Sequence, residues 1–394
     1  MQPYEVADGI FNVGVKDWNL RDFHGYSTEA GTTYNAFLII DDKVTLIDSV
    51  KKDFAGHLMY NISQIIDPKK IDMVVCNHAE MDHSGSLPYV MHLIGEEKPL
   101  YCSSMCEKSL KLHFNRDWNF HVVKSGEELS IGKRTLSFLE TRMLHWPDSM
   151  FTYVKEDKIL FSSDAFGQHY AGPENYDDEI GEKIMPHAKK YFANILLLYS
   201  KKITKLLKDV KDMGLEINTI CPDHGIIWRK DPGAIINEYA KWSAQEPEQK
   251  ALIIYDTMWQ STELMADIIT EGIASEGIYV KPKHLKFSHR SDIMTDVLDA
   301  KAIIVGSPTI NNNLYPSIAD ILAYMKGLKP QNKIAAAFGS YGWSGESIKY
   351  INQELEKMKF DIIDPGLKIQ YVPDQDGLRA CYEFGKKIAK AIIE

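Results

Sequence analysis

Short apolar runs broken by polar turns dominate the first 248 residues. Residues 36–40 and 44–47 are two such runs separated by Asp41, Asp42 and Lys43, a spacing that predicts a β-hairpin. A second hairpin is predicted where 151–154 and 159–162 flank the polar residues 155–158. Between them the pattern predicts a helix over about 53–66, a strand over 71–75, a helix near 87–94 and strands near 100–102 and 135–140. From about residue 250 the rhythm changes. Apolar strands at 251–255, 302–305 and 334–338 are each followed by a loop and a helical stretch, the alternation of a doubly wound parallel sheet. The polar stretch 243–249 separates the two rhythms, so the chain divides into domains at 1–248 and 249–394.

Charge and cysteine usage narrow the classes. A net charge of −10 argues against bulk nucleic-acid binding and against anionic membranes. The N-terminus lacks a basic segment followed by an apolar core, and no apolar run is long enough to span a bilayer, which together predict a cytoplasmic location. The five cysteines are scattered and form no CxxC pair, so neither a disulfide framework nor a built-in rubredoxin is expected.

The chemistry gathers at strand ends. Residues 76–88 read CNHAEMDHSGSLP and place His78, Glu80, Asp82 and His83 directly after an apolar run. Alternate residues of an extended segment point the same way, so His78, Glu80 and Asp82 can face one site. His145 in MLHWPDS, Asp164 in LFSSDAF and His224 in CPDHG each follow a predicted strand, where ligands held on a rigid scaffold are expected. Taken singly, each would more often be a structural loop residue.

In the second half, Thr257 to Thr262 form a hydroxyl-rich turn at a helix start, suited to cradling a phosphate through backbone N–H groups and the Thr257, Ser261 and Thr262 hydroxyls. Neither GxGxxG nor GxxxxGK[ST] occurs, which weakens dinucleotide and nucleoside-triphosphate readings. The later strand ends read GSPTINNN and GSYGWSGE, and the aromatic pair Tyr341 and Trp343 lies among glycines that allow close approach of a planar ring.

In order and spacing the first-half motifs resemble the metallo-β-lactamase fold, an αββα sandwich, with Glu80 standing where a second histidine is usual. That substitution makes the ligand set harder and more anionic, which favours iron over zinc. The resemblance also makes Asp48, in TLIDS, a candidate for orienting a ligand histidine. The second-half loops resemble flavodoxin and imply FMN, held by Thr257, Met258, Trp259, Ser261, Thr262, Pro308, Thr309, Asn311, Asn312, Ser340, Tyr341, Gly342, Trp343 and Gly345.

Both halves together closely resemble the flavodiiron proteins. The resemblance implies one iron on His78, Glu80, His145 and Asp164, and a second on Asp82, His83, His224 and the shared Asp164. It implies reduction of dioxygen to water, of nitric oxide to nitrous oxide, or both, with FMN relaying electrons. The external donor would be a rubredoxin, another flavoprotein or a reduced deazaflavin coenzyme. His24, His169 and Tyr191 become candidates for lining the substrate pocket, and a head-to-tail homodimer would bring one chain's flavin to the other's irons. Two other readings compete: a binuclear zinc hydrolase fused to a flavodoxin domain, and an FMN electron carrier without catalysis. Glu80 argues against the first and the complete ligand set against the second.

Overall fold

A computed structural model describes residues 2–394. It divides into two compact units: one comprises the N-terminal residues through His24 together with Thr28–Phe192 and Lys201–Ala240, the other Gly25–Ser27, Ala193–Ser200 and Lys241–Glu394.

The first unit carries two large sheets. One runs, in spatial order, Tyr4–Ala7, Ile10–Asn12, Phe37–Ile39, Thr45–Ile47, Met73–Cys76, Leu100–Cys102 and Phe120–Val122; the other runs Glu128–Ser130, Thr135–Glu140, Met150–Val154, Ile159–Phe161 and Thr219–Cys221. Both predicted hairpins form: Phe37–Ile39 pairs antiparallel with Thr45–Ile47, and Met150–Val154 with Ile159–Phe161. The strand Met73–Cys76 shows how the layers are built. Successive side chains point to opposite faces, and here Met73 and Val75 join the core with Phe138, Met150 and Phe161 of the second sheet. Val74 and Cys76 instead join Leu58, Ile62, Val90 and Leu110 of the covering helices. All four are buried, which is why the run is continuously apolar rather than alternating.

The second unit is a parallel sheet in the order Tyr279–His284, Glu248–Tyr255, Ala300–Gly306, Ile334–Tyr341, Asp361–Ile362, with Leu367–Gln370 also pairing with Ile334–Tyr341. The first strand in sequence is therefore interior, and the chain reverses its direction of travel across the sheet beside it. Ligand sites in open α/β sheets lie at that switch point, outside the strands' carboxyl ends. Ser261–Ala274 and Gln375–Ile393 cover one face, burying Met265, Ile269, Cys381 and Ile388 against Ala251, Ile253 and Ile304. The first of these helices starts at Ser261, so Ser261 and Thr262 sit in its first turn.

No helix among the described residues is long and apolar enough to cross a membrane. All five cysteines are free and buried.

Candidate metal centre and flavin cleft

The ligand-bearing segments of the first unit leave the carboxyl ends of its strands. His78 and Glu80 follow Met73–Cys76 in extended backbone, and Glu80 occupies the N-cap position of the short helix Met81–Ser84. Asp82 and His83 lie inside that helix. The expectation that Asp82 shares a face with His78 and Glu80 by strand alternation is thus corrected: the chain turns helical at Met81, and Asp82 and His83 are carried to a second group. Ser49 fixes the helix, donating its N–H and its hydroxyl to the His83 carbonyl at 2.9 and 2.6 Å. The loops bearing Asp164 and His224 are tied by the Asp223 N–H to the Ser163 carbonyl at 2.8 Å and the Gln168 N–H to the His224 carbonyl at 3.1 Å. Gly225, with φ of +84°, is needed after His224, because a Cβ there would lie 2.0 Å from the Gln168 side chain.

Two groups of donor atoms result, His78, Glu80, His145 and Asp164 in one and Asp82, His83 and His224 in the other, each spanning at most 4.8 Å. Asp164 joins them. Its Oδ2 is 3.3 Å from His78 Nε2 and 3.0 Å from His145 Nε2, while its Oδ1 is 3.2 Å from His83 Nε2 and 3.4 Å from His224 Nε2. Glu80 completes the first group at 3.0 Å from His145 Nε2, and Asp82 the second at 3.2 Å from His224 Nε2.

Two of the four rings are met at Nδ1 in a way that turns Nε2 toward the donor groups. His224 Nδ1–H donates to the Thr33 carbonyl at 2.7 Å, which leaves the Nε2 lone pair pointing inward. His78 Nδ1 faces Asp148 Oδ2 at 3.0 Å, and the Ala79 N–H donates to that same oxygen at 2.6 Å. Trp146 packs edge-on against the His78 ring at 5.2 Å.

Electrostatics single out the cluster. Burial opposes charge on His78 and His83, but Asp148 and Glu80 beside the first and Asp82 and Asp164 beside the second raise both well above the ordinary imidazole range. His145 is pushed up to about 9, since the bonds to Asp164 and Glu80 outweigh its burial. Burial likewise raises Asp164 and Glu80, yet the surrounding histidines hold both carboxyls below their usual range. Such mutual dependence on cations marks a site built for positive charge.

A direct test of fit comes from atoms left without partners. Both oxygens of Asp82, both ring nitrogens of His83 and Oδ2 of Asp164 are buried and receive no hydrogen bond. Orphaned donors and acceptors in such number are costly, and two divalent cations would satisfy all of them except His83 Nδ1, which faces away from the group. Three carboxylates among seven donors make the set oxygen-rich, which suits iron.

Asp48 is corrected. Its carboxylate does not meet a ligand histidine; it accepts the Asn77 N–H at 2.6 Å and the Asn77 side-chain amide at 2.7 Å, anchoring the backbone one residue before His78. Burial pushes its carboxyl up to about 6 despite those bonds. Asp148, which does meet His78, went unnoticed in the sequence because WPDS reads as a turn.

The three pocket candidates are placed differently from one another. Tyr191 is fully buried and donates to Asp164 Oδ1 at 2.9 Å. His169 is buried with Nδ1 2.9 Å from the Thr32 hydroxyl, and burial with the nearby His224 lowers its basicity well below normal, so its ring is neutral. His24 is exposed and lies against Phe23, their ring centres 4.5 Å apart.

The second unit holds a cleft of about 590 Å³ lined by Met258, Trp259, Ser261, Pro308, Thr309, Asn311, Asn312, Ser340, Tyr341, Gly342 and Trp343, all expected, together with Ile310, Ser344, Tyr371 and Val372, which were not. Two expected residues support it from behind. The Thr262 hydroxyl is 2.9 Å from that of Ser340, joining the first loop to the third, and Gly345, at φ of +74°, leaves room for the Tyr341 ring 3.1 Å from where a Cβ would be. The phosphate end fits an anion: no side chain caps the helix Ser261–Ala274, and the Thr257 hydroxyl is buried without a partner. Trp259 and Trp343, 89% and 84% exposed, flank the cleft as apolar surface that a ring system would cover.

Comparison with known proteins agrees with both halves. Residues 32–225 match the ODP family beta lactamase and residues 253–385 match flavodoxin. The chain is 47% identical over 398 residues to a protein named nitric oxide reductase from Moorella thermoacetica, covering all of both chains. Its structure is similar to that of rubredoxin oxygen:oxidoreductase from Desulfovibrio gigas, with TM-score 0.97, 43% identity, and coverage of 100% and 99% of the two chains. It is also similar to a flavodiiron protein from Giardia intestinalis, with TM-score 0.96, 37% identity, and coverage of 100% and 97%.

Proposed function

Since the chain belongs to the flavodiiron proteins, we propose that its two donor groups hold the two irons of an oxidoreductase that reduces dioxygen to water or nitric oxide to nitrous oxide, with electrons supplied through FMN. His78, Glu80, His145 and Asp164 take one iron; Asp82, His83, His224 and the other oxygen of Asp164 take the second. The division of the Asp164 oxygens between the groups carries this reading. When bound, two ferrous ions and a reduced flavin supply the four electrons that, with four protons, convert dioxygen to two waters, or the two electrons that, with two protons, convert two nitric oxide molecules to nitrous oxide and water.

The chain's own residues hold charge and geometry. Tyr191 donates its hydroxyl to Asp164 Oδ1, which would hold that carboxylate with one oxygen toward each donor group. His169, neutral and held through Nδ1 by the Thr32 hydroxyl, offers a polar wall without charge, and His24 supplies an exposed imidazole near the Phe23 ring. In the second unit Thr257 and the uncapped helix start would hold the FMN phosphate, and Tyr341, Trp343 and Tyr371 would offer aromatic surface to the ring.

A head-to-tail homodimer, a cytoplasmic location and an external donor of the rubredoxin, flavoprotein or deazaflavin kind complete the proposal. Stoichiometry tests it. Protein reduced anaerobically and mixed with limiting dioxygen should consume about one dioxygen per chain without releasing hydrogen peroxide, or should form nitrous oxide from nitric oxide. Hydrogen peroxide as the main product, with nitric oxide untouched, would mean that only the flavin reacts. Sedimentation of an active monomer would remove the dimer.

A further inference from the structure

We propose that Asp223 is a positioning residue that holds His83 as a ligand of the second iron. The inference rests on the two-iron reading above and goes beyond it by assigning a function to a carboxylate outside both donor groups.

Asp223 sits one residue before His224 and is fully buried. Neither of its oxygens receives a hydrogen bond, and its backbone is used elsewhere: the N–H goes to Ser163 and the carbonyl accepts from Asn35. Buried polar atoms without a partner are uncommon in folded proteins, and each calls for a physical reason. The cation-capable group nearest its Oδ2 is His83 Nδ1, at 3.5 Å. On the opposite edge of that ring, Nε2 lies 3.4 Å from Asp82 Oδ1 and 3.2 Å from Asp164 Oδ1. His83 is thus held between ligand carboxylates on one side and a lone carboxylate on the other. An acceptor at Nδ1 fixes the proton there and leaves the Nε2 lone pair for a metal, and it raises the basicity of the ring.

The same device is visible in the first group, where Asp148 meets His78 Nδ1 at 3.0 Å, and a backbone carbonyl does the work for His224. What sets Asp223 apart is that His83 shares its short helix with Asp82, the two being neighbours in sequence that contribute to one group. The ring directs Nε2 toward Asp82 and Asp164, which leaves Nδ1 on the edge that faces Asp223. No other acceptor reaches its Nδ1, which has no hydrogen bond among the described residues.

The test is Asp223→Asn, which keeps size and removes charge, compared with His83→Ala and the double variant. Release of iron to a ferrous chelator is followed anaerobically, and the two irons are resolved by Mössbauer spectroscopy. Asp223→Asn should speed release of one iron by about tenfold, at the lower end of what outer carboxylates contribute to metal affinity. It should shift one doublet and leave the other iron as in the unaltered protein. His83→Ala should affect the same iron, and the double variant should release it no faster than His83→Ala alone. Unchanged release and spectra in Asp223→Asn would overturn the proposal. So would equal loss of both irons, or effects that add in the double variant, since either indicates a general structural role. An unaltered protein that holds no iron would instead overturn the two-iron reading itself.

Discussion

The metal centre and the flavin cleft solve opposite problems. The centre is built from buried side chains: five of its seven donors are buried, Glu80 and His145 are half-buried, and aspartates stand behind two of the histidines. The cleft is built from loops at strand ends, and its largest side chains, Trp259 and Trp343, are mostly exposed. A multivalent cation must be met by fixed charge in a dry site, because mobile or hydrated ligands lose to water. A flat, largely apolar ring with a phosphate tail needs backbone N–H groups and surface to cover. The centre is therefore unstable as a set of charges until filled, whereas the cleft is merely open. Substitutions should separate the two.

The largest effect should come from Asp164→Ala, which removes the only side chain shared by both groups. Removing one member of a buried charge network costs about 3–5 kcal/mol, on the order of a thousandfold. Iron content should fall for both sites and turnover with it, while FMN content stays near one per chain. Loss of a single iron, seen by elemental analysis, would show that Asp164 does not bridge.

Next comes the pH response of metal-free protein. His145 has a folded-state value of about 9, above its unfolded value near 6.5, so its stabilising contribution is fully present below about pH 6.5 and lost as pH rises through 9. The contribution is at most about 3 kcal/mol. Iron affinity should move the other way across that interval, since the ligand rings must lose their protons to bind. Denaturant titrations of metal-free protein at pH 6 and pH 9.5 check the sign. Greater stability at the higher pH would show that the histidines are not held by Glu80 and Asp164.

In the cleft, Thr257→Val should weaken FMN by about tenfold to a hundredfold, the range for a hydrogen bond to a charged group. The flavin-free protein should melt no lower, because the buried hydroxyl has no partner to lose. Fluorescence titration with FMN and a melting curve read these two numbers. Smallest of all should be Trp259→Ala without flavin. The side chain is 89% exposed, and its loss should change stability by no more than about 0.5 kcal/mol, even where it lowers FMN affinity.

The seven donor residues were legible in the sequence as candidates because each follows an apolar strand, and His78, Glu80, Asp82 and His83 crowd into six residues. How they divide between two groups depends on the helix at Met81–Ser84, which is too short for any periodicity to announce. Asp148 and Asp223 were passed over because WPDS and CPDH read as ordinary turns. Their role depends on the tertiary approach of rings from other segments, and only the proximity of each to a ligand hinted at it. Asp48 shows the reverse error: a strand-end aspartate in a familiar place bonds Asn77 instead of a ring. In the cleft, the first three loops were legible from glycine, hydroxyl and aromatic clustering. Tyr371 and Val372 were not, because the short strand Leu367–Gln370 brings them there by pairing parallel with Ile334–Tyr341, a long-range contact that local pattern does not record.

The most direct measurement is the metal and flavin content of anaerobically purified protein, with iron and zinc by elemental analysis and FMN by absorbance after release. Two irons and one FMN per chain is the result expected from a chain that carries both a carboxylate-bearing, two-group donor set and an FMN-sized cleft. Zinc in place of iron, even with FMN bound, would contradict the diiron reading and make the hydrolytic chemistry of a binuclear zinc centre the better account.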